Sequence, residues 1–165
     1  METNEKQASK DIAAELKDKR DLAGVDLSGQ DLSGKRFAGA NMKGANLSEA
    51  VLTKALIAGV DLGESNLRGA QLTEATIAGT NLSNSDLTGA NLSDSKILGV
   101  NVSGADFSDV TTSGARSGGV DWSSAKVPPA ELPEAMTPPP WLAPLFMGLV
   151  ALVVIVILRK KSKKA

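Results

Sequence analysis

The chain has 165 residues, a formal net charge of -1 and only 3% aromatic residues, which is enough for one domain with attachments but few large core side chains. The charge balance argues against binding to nucleic-acid phosphates. The sequence has no Cys and no His, which excludes thiolate chemistry, the usual zinc sites and the usual nucleophile–base pairs. We therefore predict that the protein is not an enzyme and that it takes no catalytic residue, cofactor, metal, nucleic acid or small-molecule substrate.

Residues 1–19 are predicted to form a short helix. Ala8, Ile12 and Leu16 recur every four residues, which places them on one side of a helix. The stretch has no apolar core typical of a secretory signal peptide. We expect this helix to cap the exposed first coil of the repeat that follows, and a disordered arm is the alternative.

Residues 20–124 repeat every five residues, twenty-one times without an insertion. The third residue of each five is nearly always apolar, the first is mostly small, the second is usually Asp or Asn, and Gly is frequent at the fifth. On a helix such third residues would lie about 140° apart, and on a flat strand they would alternate between faces. A chain that turns a corner after every five residues removes the conflict, and Gly, Asn and Asp suit such corners. The apolar run breaks at Thr112 and Ser117 and returns at Trp122.

A second period of twenty residues is superimposed on the first. Glycine recurs at twenty-residue intervals in one series of fives, and in that series the second residue is never Asp or Asn. The series is Gly39, Gly59, Gly79, Gly99 and Gly119. If one coil is four fives, residues 20–126 make an all-β solenoid of about five coils with four sides, roughly 25 Å long at strand spacing.

Residues 45–49 (Ala-Asn-Leu-Ser-Glu), 90–94 (Ala-Asn-Leu-Ser-Asp) and 105–109 (Ala-Asp-Phe-Ser-Asp) resemble the A(D/N)LXX unit of the pentapeptide-repeat family. The resemblance covers about two thirds of the chain. It implies a right-handed, quadrilateral β-helix with the third and the small residue of each five inside. Some members of that family are acidic DNA mimics that bind and protect DNA gyrase, so the resemblance also leaves open a regulator of a topoisomerase.

The four predicted sides differ in charge. Three sides carry acids: Asp21, Asp61, Glu64 and Asp121 on the first, Asp26, Glu49, Asp86, Asp106 and Asp109 on the second, and Asp31, Glu74 and Asp94 on the third. Calcium could bind between Asp86, Asp106 and Asp109, but a solvated acidic face is the simpler interpretation. The fourth side has no acid and presents small residues together with Arg36, Leu56, Thr76, Lys96, Leu98 and Arg116. Exposed apolar residues on a flat side indicate a surface for a protein partner or a second copy, unless the small residues only satisfy the tight turns.

Residues 127–140 contain six prolines and predict an extended linker. Residues 141–158, from Trp141 to Leu158, carry no charge and would span about 27 Å as a helix, enough for the hydrocarbon core of a bilayer. The tail of residues 159–165 includes Arg159, Lys160 and Lys161, which suit anionic lipid. We predict a single-pass membrane anchor.

The sequence carries two opposing signals for the side of the membrane on which the repeat lies. The basic tail follows the positive-inside rule with the repeat outside, whereas the missing export signal and the short tail favour a tail anchor with the repeat in the cytoplasm. We favour the cytoplasm. Residues 132–136 also resemble a cell-wall sorting signal of the LPXTG type, from which Ala135 and Met136 depart. We predict a non-catalytic, membrane-anchored scaffold for protein interaction, and an outward-facing structural protein of the cell envelope is a further alternative.

Overall fold

The computed structural model describes residues 21–136. Within this range the chain is an all-parallel β-solenoid of about five coils, and the predicted solenoid is confirmed. One coil takes twenty residues, because Asp21 pairs with Asn41 and Asn41 pairs with Asp61. The predicted capping helix (1–19), membrane helix (141–158) and basic tail (159–165) lie outside the described residues. Over residues 21–136, no helix has the length and apolar character to cross a membrane.

One side of every coil forms true strands, and we call it the strand side. Its strands pair in sequence order in one six-stranded sheet. They are β1 (Arg36–Ala38), β2 (Leu56–Ala58), β3 (Thr76–Ala78), β4 (Lys96–Leu98), β5 (Arg116–Gly118) and β6 (Glu134–Ala135).

The other three sides, which we call the ladder sides, connect successive coils by single bridges between second residues of the fives. Their bridging columns are Asp21, Asn41, Asp61, Asn81 and Asn101 on the first; Asp26, Asn46, Asn66, Asp86 and Asp106 on the second; and Asp31, Val51, Gln71, Asn91 and Thr111 on the third. An Asp or Asn here bends the chain, because its side chain accepts a hydrogen bond from the backbone two residues on, as Asp26 does from the Ser28 N–H at 3.0 Å. The strand side lacks these residues and stays extended for three positions.

The corners use the left-handed backbone region at the fifth position of the fives. Gly69 has a φ of 65° and Glu49, twenty residues earlier, has a φ of 58°. A Cβ added to Gly69 would collide with the Glu49 carboxylate, which lies over it. Glycine is therefore suited to this corner both by its backbone angle and by the space it leaves.

The core is a stack of third residues inside the coils. Leu27, Leu47, Leu67 and Leu87 are each 1% exposed, and the small residue Ala45 is fully buried. Both inward positions of the five are thus where the periodicity predicted them. A narrow interior filled by Leu, Ile and Ala explains why few aromatic residues suffice.

The winding continues beyond residue 126, where the sequence predicts a linker. Val127 pairs with Asp106, the Thr112 hydroxyl donates to the Glu131 carbonyl at 2.7 Å, and β6 pairs with β5. The compact unit that contains the coils ends at Ala135. Proline is compatible with this role, because the last strand of a sheet needs few N–H donors on its outer edge. The predicted linker therefore begins on the solenoid itself.

Trp122 closes the last full coil in a different way from the earlier third residues. It starts a short 3-10 helix, Trp122–Ser124, and is half-buried. Its ring contacts Phe107 edge-on, with the ring centroids 5.3 Å apart. Its indole N–H lies 3.4 Å from the Ser117 hydroxyl, so a buried polar group of the last coil has a partner.

Candidate interaction surface

The structure brings all six predicted interface residues onto the strand side. Arg36, Leu56, Thr76, Lys96 and Arg116 occupy the same register position of β1 to β5. We call these residues, with Glu134 of β6, the charged column. Leu98 lies in the second outward column, which we call the small column: Ala38, Ala58, Ala78, Leu98 and Gly118.

The two leucines of this side differ in exposure. Leu98 is 37% exposed, whereas Leu56 is half-buried. The neighbours on adjacent strands explain the difference, because Leu98 lies between Ala78 and Gly118 and nothing large shields it. Leu56 lies between Arg36 and Thr76, whose side chains are larger than those of Ala78 and Gly118. Leu98 is exposed as the sequence predicted, and the expectation that Leu56 is exposed is corrected.

The sequence predicted that this side has no acid, but in the structure its last strand contributes one, Glu134. Glu134 pairs in register with Arg116 and occupies the sixth position of the charged column. The sequence reasoning missed it because residue 134 falls in the proline-rich stretch, outside the repeat of five. The buried polar residues Thr112 and Ser117 were a usable signal, since polar groups inside the last coil need partners from a following segment.

Cations on the ladder sides are paired with acids. The ion pairs are Lys43–Glu64 at 3.1 Å, Lys54–Glu74 at 3.5 Å, Arg68–Asp86 at 3.2 Å and Lys126–Asp106 at 3.1 Å. On the strand side, Arg36, Lys96 and Arg116 make no ion pair with another residue of 21–136. Lys96 and Arg116 are in fact direct neighbours on β4 and β5, and like charges at such positions destabilise a sheet.

Side-chain hydrogen bonds run along the ladder sides from coil to coil. The Asn41 amide donates to Asp21 at 2.9 Å, and the Asn81 amide donates to Asp61 at 2.8 Å. On the second ladder side, Asn46 donates to Asp26 at 3.0 Å. These polar groups already form hydrogen bonds within the solenoid, so fewer of them are free to bind a ligand.

The hydrogen bonds also keep several of these carboxyl groups ionised. Hydrogen bonds from Ser108, through its hydroxyl and its backbone N–H, and the Lys126 ammonium lower the pKa of Asp106 to about 2. Burial acts to raise the pKa of Asp86, but hydrogen bonds from Thr88 and the Arg68 guanidinium outweigh it, and the pKa is lowered. The backbone and side chain of Ser28 likewise lower the pKa of Asp26.

The structure gives no support to the calcium alternative. Asp86 and Asp106 direct carboxylate oxygens to Arg68 and Lys126 at 3.2 and 3.1 Å. Within residues 21–136, no group of three or more acids is arranged to hold a metal ion.

A family model described as pentapeptide repeats matches residues 21–57, 50–89 and 70–109, which together span more than half of the chain. No curated protein sequence matches the chain.

Several solved structures are similar to the chain. HetL, a pentapeptide repeat protein of the cyanobacterium Nostoc sp. strain PCC 7120, is 21% identical over 68% of this chain and 61% of its own, with a TM-score of 0.45. Rfr23 from the cyanobacterium Cyanothece 51142 is 23% identical over 68% of this chain and 98% of its own, with a TM-score of 0.42. QnrB1, a plasmid-mediated fluoroquinolone resistance protein, is 24% identical over 78% of this chain and 84% of its own, with a TM-score of 0.31. The chain thus spans 61% of the length of HetL.

Proposed function

Because the chain belongs to the pentapeptide-repeat family, we propose that it is a non-catalytic, membrane-anchored scaffold whose strand side binds a protein partner. The observation that carries this proposal is the contrast in ion pairing. Lys43, Lys54 and Arg68 on the ladder sides each contact an acid, whereas the three cations of the strand side have no such contact among residues 21–136.

The shape of the strand side also favours protein contact. The small column leaves the sheet nearly flat beside the charged column, so the backbone of another protein can approach closely. Leu98 stands out from this flat surface as an apolar contact. An acidic group of a partner, bound between Lys96 and Arg116, would relieve the repulsion between these neighbouring cations.

The absence of catalysis is proposed from the chemistry of the residues. The sequence supplies no His or Cys, and the described Asp residues serve the turns and the ladders. Their pKa values are lowered where a shift is seen, which makes them poor general acids or bases near neutral pH. Activity would require a group with a pKa closer to the working pH.

Membrane attachment and topology are proposed from the sequence. Residues 141–158 supply the apolar span, and Arg159, Lys160 and Lys161 would contact anionic lipid. We place the repeat in the cytoplasm, because residues 1–19 lack the apolar core of an export signal and the tail after residue 158 is short. The family resemblance implies that the solenoid is right-handed. Protease treatment of intact cells tests the topology, since a cytoplasmic repeat is protected until the membrane is opened. Digestion in intact cells would instead support the outward-facing envelope protein.

The interaction proposal is tested by crosslinking from the full chain in intact membranes, read by mass spectrometry. The variant Leu56→Glu with Leu98→Glu places two carboxylates on the strand side. The matched control, Thr53→Glu with Thr73→Glu, adds the same charge to the third ladder side. We expect the partner to be lost from the first variant and kept by the control, with unchanged circular dichroism spectra. Equal capture by both would remove the strand side from the interaction.

The acidic ladder sides favour a second candidate function. In this function the solenoid mimics DNA and regulates a topoisomerase. Asp86 and Asp106 are neighbours in successive coils of the second ladder side, and Asp26 lies three coils from Asp86 on the same side with Asn46 and Asn66 between them. The lowered pKa of each of the three carboxyl groups keeps it ionised. A gyrase supercoiling assay with the full chain, run with and without a quinolone, tests this candidate. The absence of both inhibition and protection from the quinolone would eliminate this candidate.

A further inference from the structure

Two cations of the charged column, Lys96 and Arg116, lie side by side, and we call them the cation pair. They occupy the same register position of β4 and β5, about 4.8 Å apart at strand spacing, and both are exposed. Neither makes an ion pair with another residue of 21–136.

The acids beside the cation pair do not neutralise it. Glu134 lies in register beside Arg116 without forming an ion pair with it. Asp94 precedes Lys96 by two residues, but its carboxylate lies over Gly114 in the next coil of the third ladder side. The free chain therefore keeps two like charges on neighbouring strands, an arrangement that costs free energy.

An apolar contact lies next to the cation pair. Leu98 follows Lys96 by two residues on β4, so both side chains point outward about 6.6 Å apart. Leu98 is 37% exposed, and its neighbours on the adjacent strands are Ala78 and Gly118. These small residues leave room on both sides of Leu98 for a side chain of another molecule. The surface thus offers a site for an anion with an apolar site beside it.

This combination fits an acidic segment of a protein better than it fits other anions or a second copy. Nucleic acid binds long runs of cations, but Arg36 lies three coils from Lys96, about 14 Å away, with two uncharged residues between them. A phosphate, free or on a lipid headgroup, has no apolar group for Leu98. The strand side of a second copy would bring one acid, Glu134, together with three more cations.

We propose that the cation pair and Leu98 bind an acidic segment of a protein partner. An Asp or Glu carboxylate of the partner lies between Lys96 and Arg116, and an apolar side chain two residues along the segment covers Leu98. An extended segment places such residues about 6.6 Å apart on one face, which matches the separation of Lys96 and Leu98. The inference rests on the proposed function, because it requires the strand side to be a contact surface, and it adds the chemistry of the partner.

Carbodiimide crosslinking of the full chain in intact membranes tests this chemistry, because the reagent joins a lysine amine to a carboxylate in contact with it. Lys54 is the internal control, since its Nζ lies 3.5 Å from Glu74 of the same chain. We expect mass spectrometry to find Lys96 joined to an Asp or Glu of a protein with a different sequence. The variant Lys96→Arg keeps the charge but has no amine, and it should lose this product. A product of Lys96 with an acid of this sequence, such as Glu134, or with a lipid carboxylate overturns the proposal.

Charge reversal tests the cation pair with a matched control. The sequence contains no Cys, so a benzophenone attached to Ala58→Cys captures what lies on the strand side without altering the proposed site. Capture should fall about tenfold when Lys96→Glu and Arg116→Glu are combined, because the partner's carboxylate then meets like charges. The control, Lys43→Glu with Lys54→Glu on the ladder sides, makes the same change of charge and should leave capture unchanged. Equal capture by the two variants, with unchanged circular dichroism spectra, overturns the proposal.

The same two crosslinkers separate this inference from the proposed function. If Lys96 is joined to no acid of another protein while the benzophenone at position 58 still captures one, the acidic partner fails and the proposed function stands. If the benzophenone captures no protein either, both fail.

Discussion

The strand side and the ladder sides of the solenoid are made from the same five-residue unit, but they use their outward polar groups differently. On the ladder sides, Asp and Asn side chains bond the backbone two residues on and the equivalent side chain of the next coil, as Asn81 bonds Asp61. On the strand side, Arg36, Lys96 and Arg116 make no ion pair within residues 21–136. The comparison teaches that departures from the consensus of a repeat leave outward side chains that take no part in holding the coils, because the consensus Asp and Asn residues are the ones that bond the backbone and the next coil.

The largest expected loss of stability comes from truncating core side chains, and it tests whether the core is equally well packed behind both kinds of side. Leu87, behind the second ladder side, and Ile77, behind the strand side, are both buried. We expect Leu87→Ala and Ile77→Ala each to lower the free energy of unfolding by about 2–5 kcal/mol, because each leaves a cavity in a closely packed interior. Urea denaturation followed by circular dichroism measures both. A loss below 1 kcal/mol for Ile77→Ala alone would show a loosely packed strand side.

The second largest effect compares how much outward side chains of the ladder sides and of the strand side contribute to stability. Asp86→Ala removes the acceptor for the Thr88 N–H at 2.9 Å, the Thr88 hydroxyl at 2.6 Å and the Arg68 guanidinium. We expect a loss of about 1–2 kcal/mol, as for hydrogen bonds to a charged group that is partly exposed. The matched change on the strand side, Thr76→Ala, should cost about 0.5 kcal/mol or less. Equal losses in urea denaturation would contradict the division between the two surfaces.

A pH dependence should appear on the ladder sides. The pKa of Asp106 is lowered to about 2 from 3.8. Since the folded value lies below the unfolded one, Asp106 stabilises the fold fully above pH 3.8 and loses this contribution as the pH falls toward 2. The Tm difference between the protein and Asp106→Asn should therefore shrink over this interval. Thr76→Gln on the strand side should show no such trend, and a constant difference for Asp106→Asn would contradict the assignment.

The smallest effect concerns two buried hydroxyls. The Ser85 hydroxyl donates to the Leu82 carbonyl at 2.7 Å, whereas the Ser95 hydroxyl, which precedes β4, has no partner in the described part of the chain. We expect Ser85→Ala to cost about 0.5–1.5 kcal/mol and Ser95→Ala to be neutral or slightly stabilising. Thermal unfolding of the two variants under the same conditions compares them directly. A larger loss for Ser95→Ala would indicate a partner for its hydroxyl.

Much of the solenoid could be predicted from the sequence, because its period is strict. The inward third residues, the twenty-residue coil and the grouping of Arg36, Lys96 and Arg116 on one side all follow from position alone. What periodicity cannot give is the point where winding stops. Residues 127–135 obey no period of five, and their placement depends on hydrogen bonds to groups such as Thr112 of the preceding coil.

The five-residue repeat also could not predict how exposed the outward side chains are. Leu56 and Leu98 stand two residues apart within their fives, and both looked exposed. The difference between them depends on the size of the side chains one coil above and below, which the repeat unit alone does not specify. The position of Glu134 could not be predicted from the repeat either, because it depends on how the segment after the last repeat pairs with β5.

Because each coil has twenty residues, the length of the solenoid is a whole number of coils times the strand spacing. Duplication or loss of one whole coil would leave the stacking rules intact and move the terminal groups Arg36 and Glu134 apart or together by one strand spacing, about 4.8 Å. The separation between the two ends of the surface can therefore change during evolution only in fixed steps. A ruler of this kind allows a lineage to refit its surface to a new counterpart without redesigning the interior.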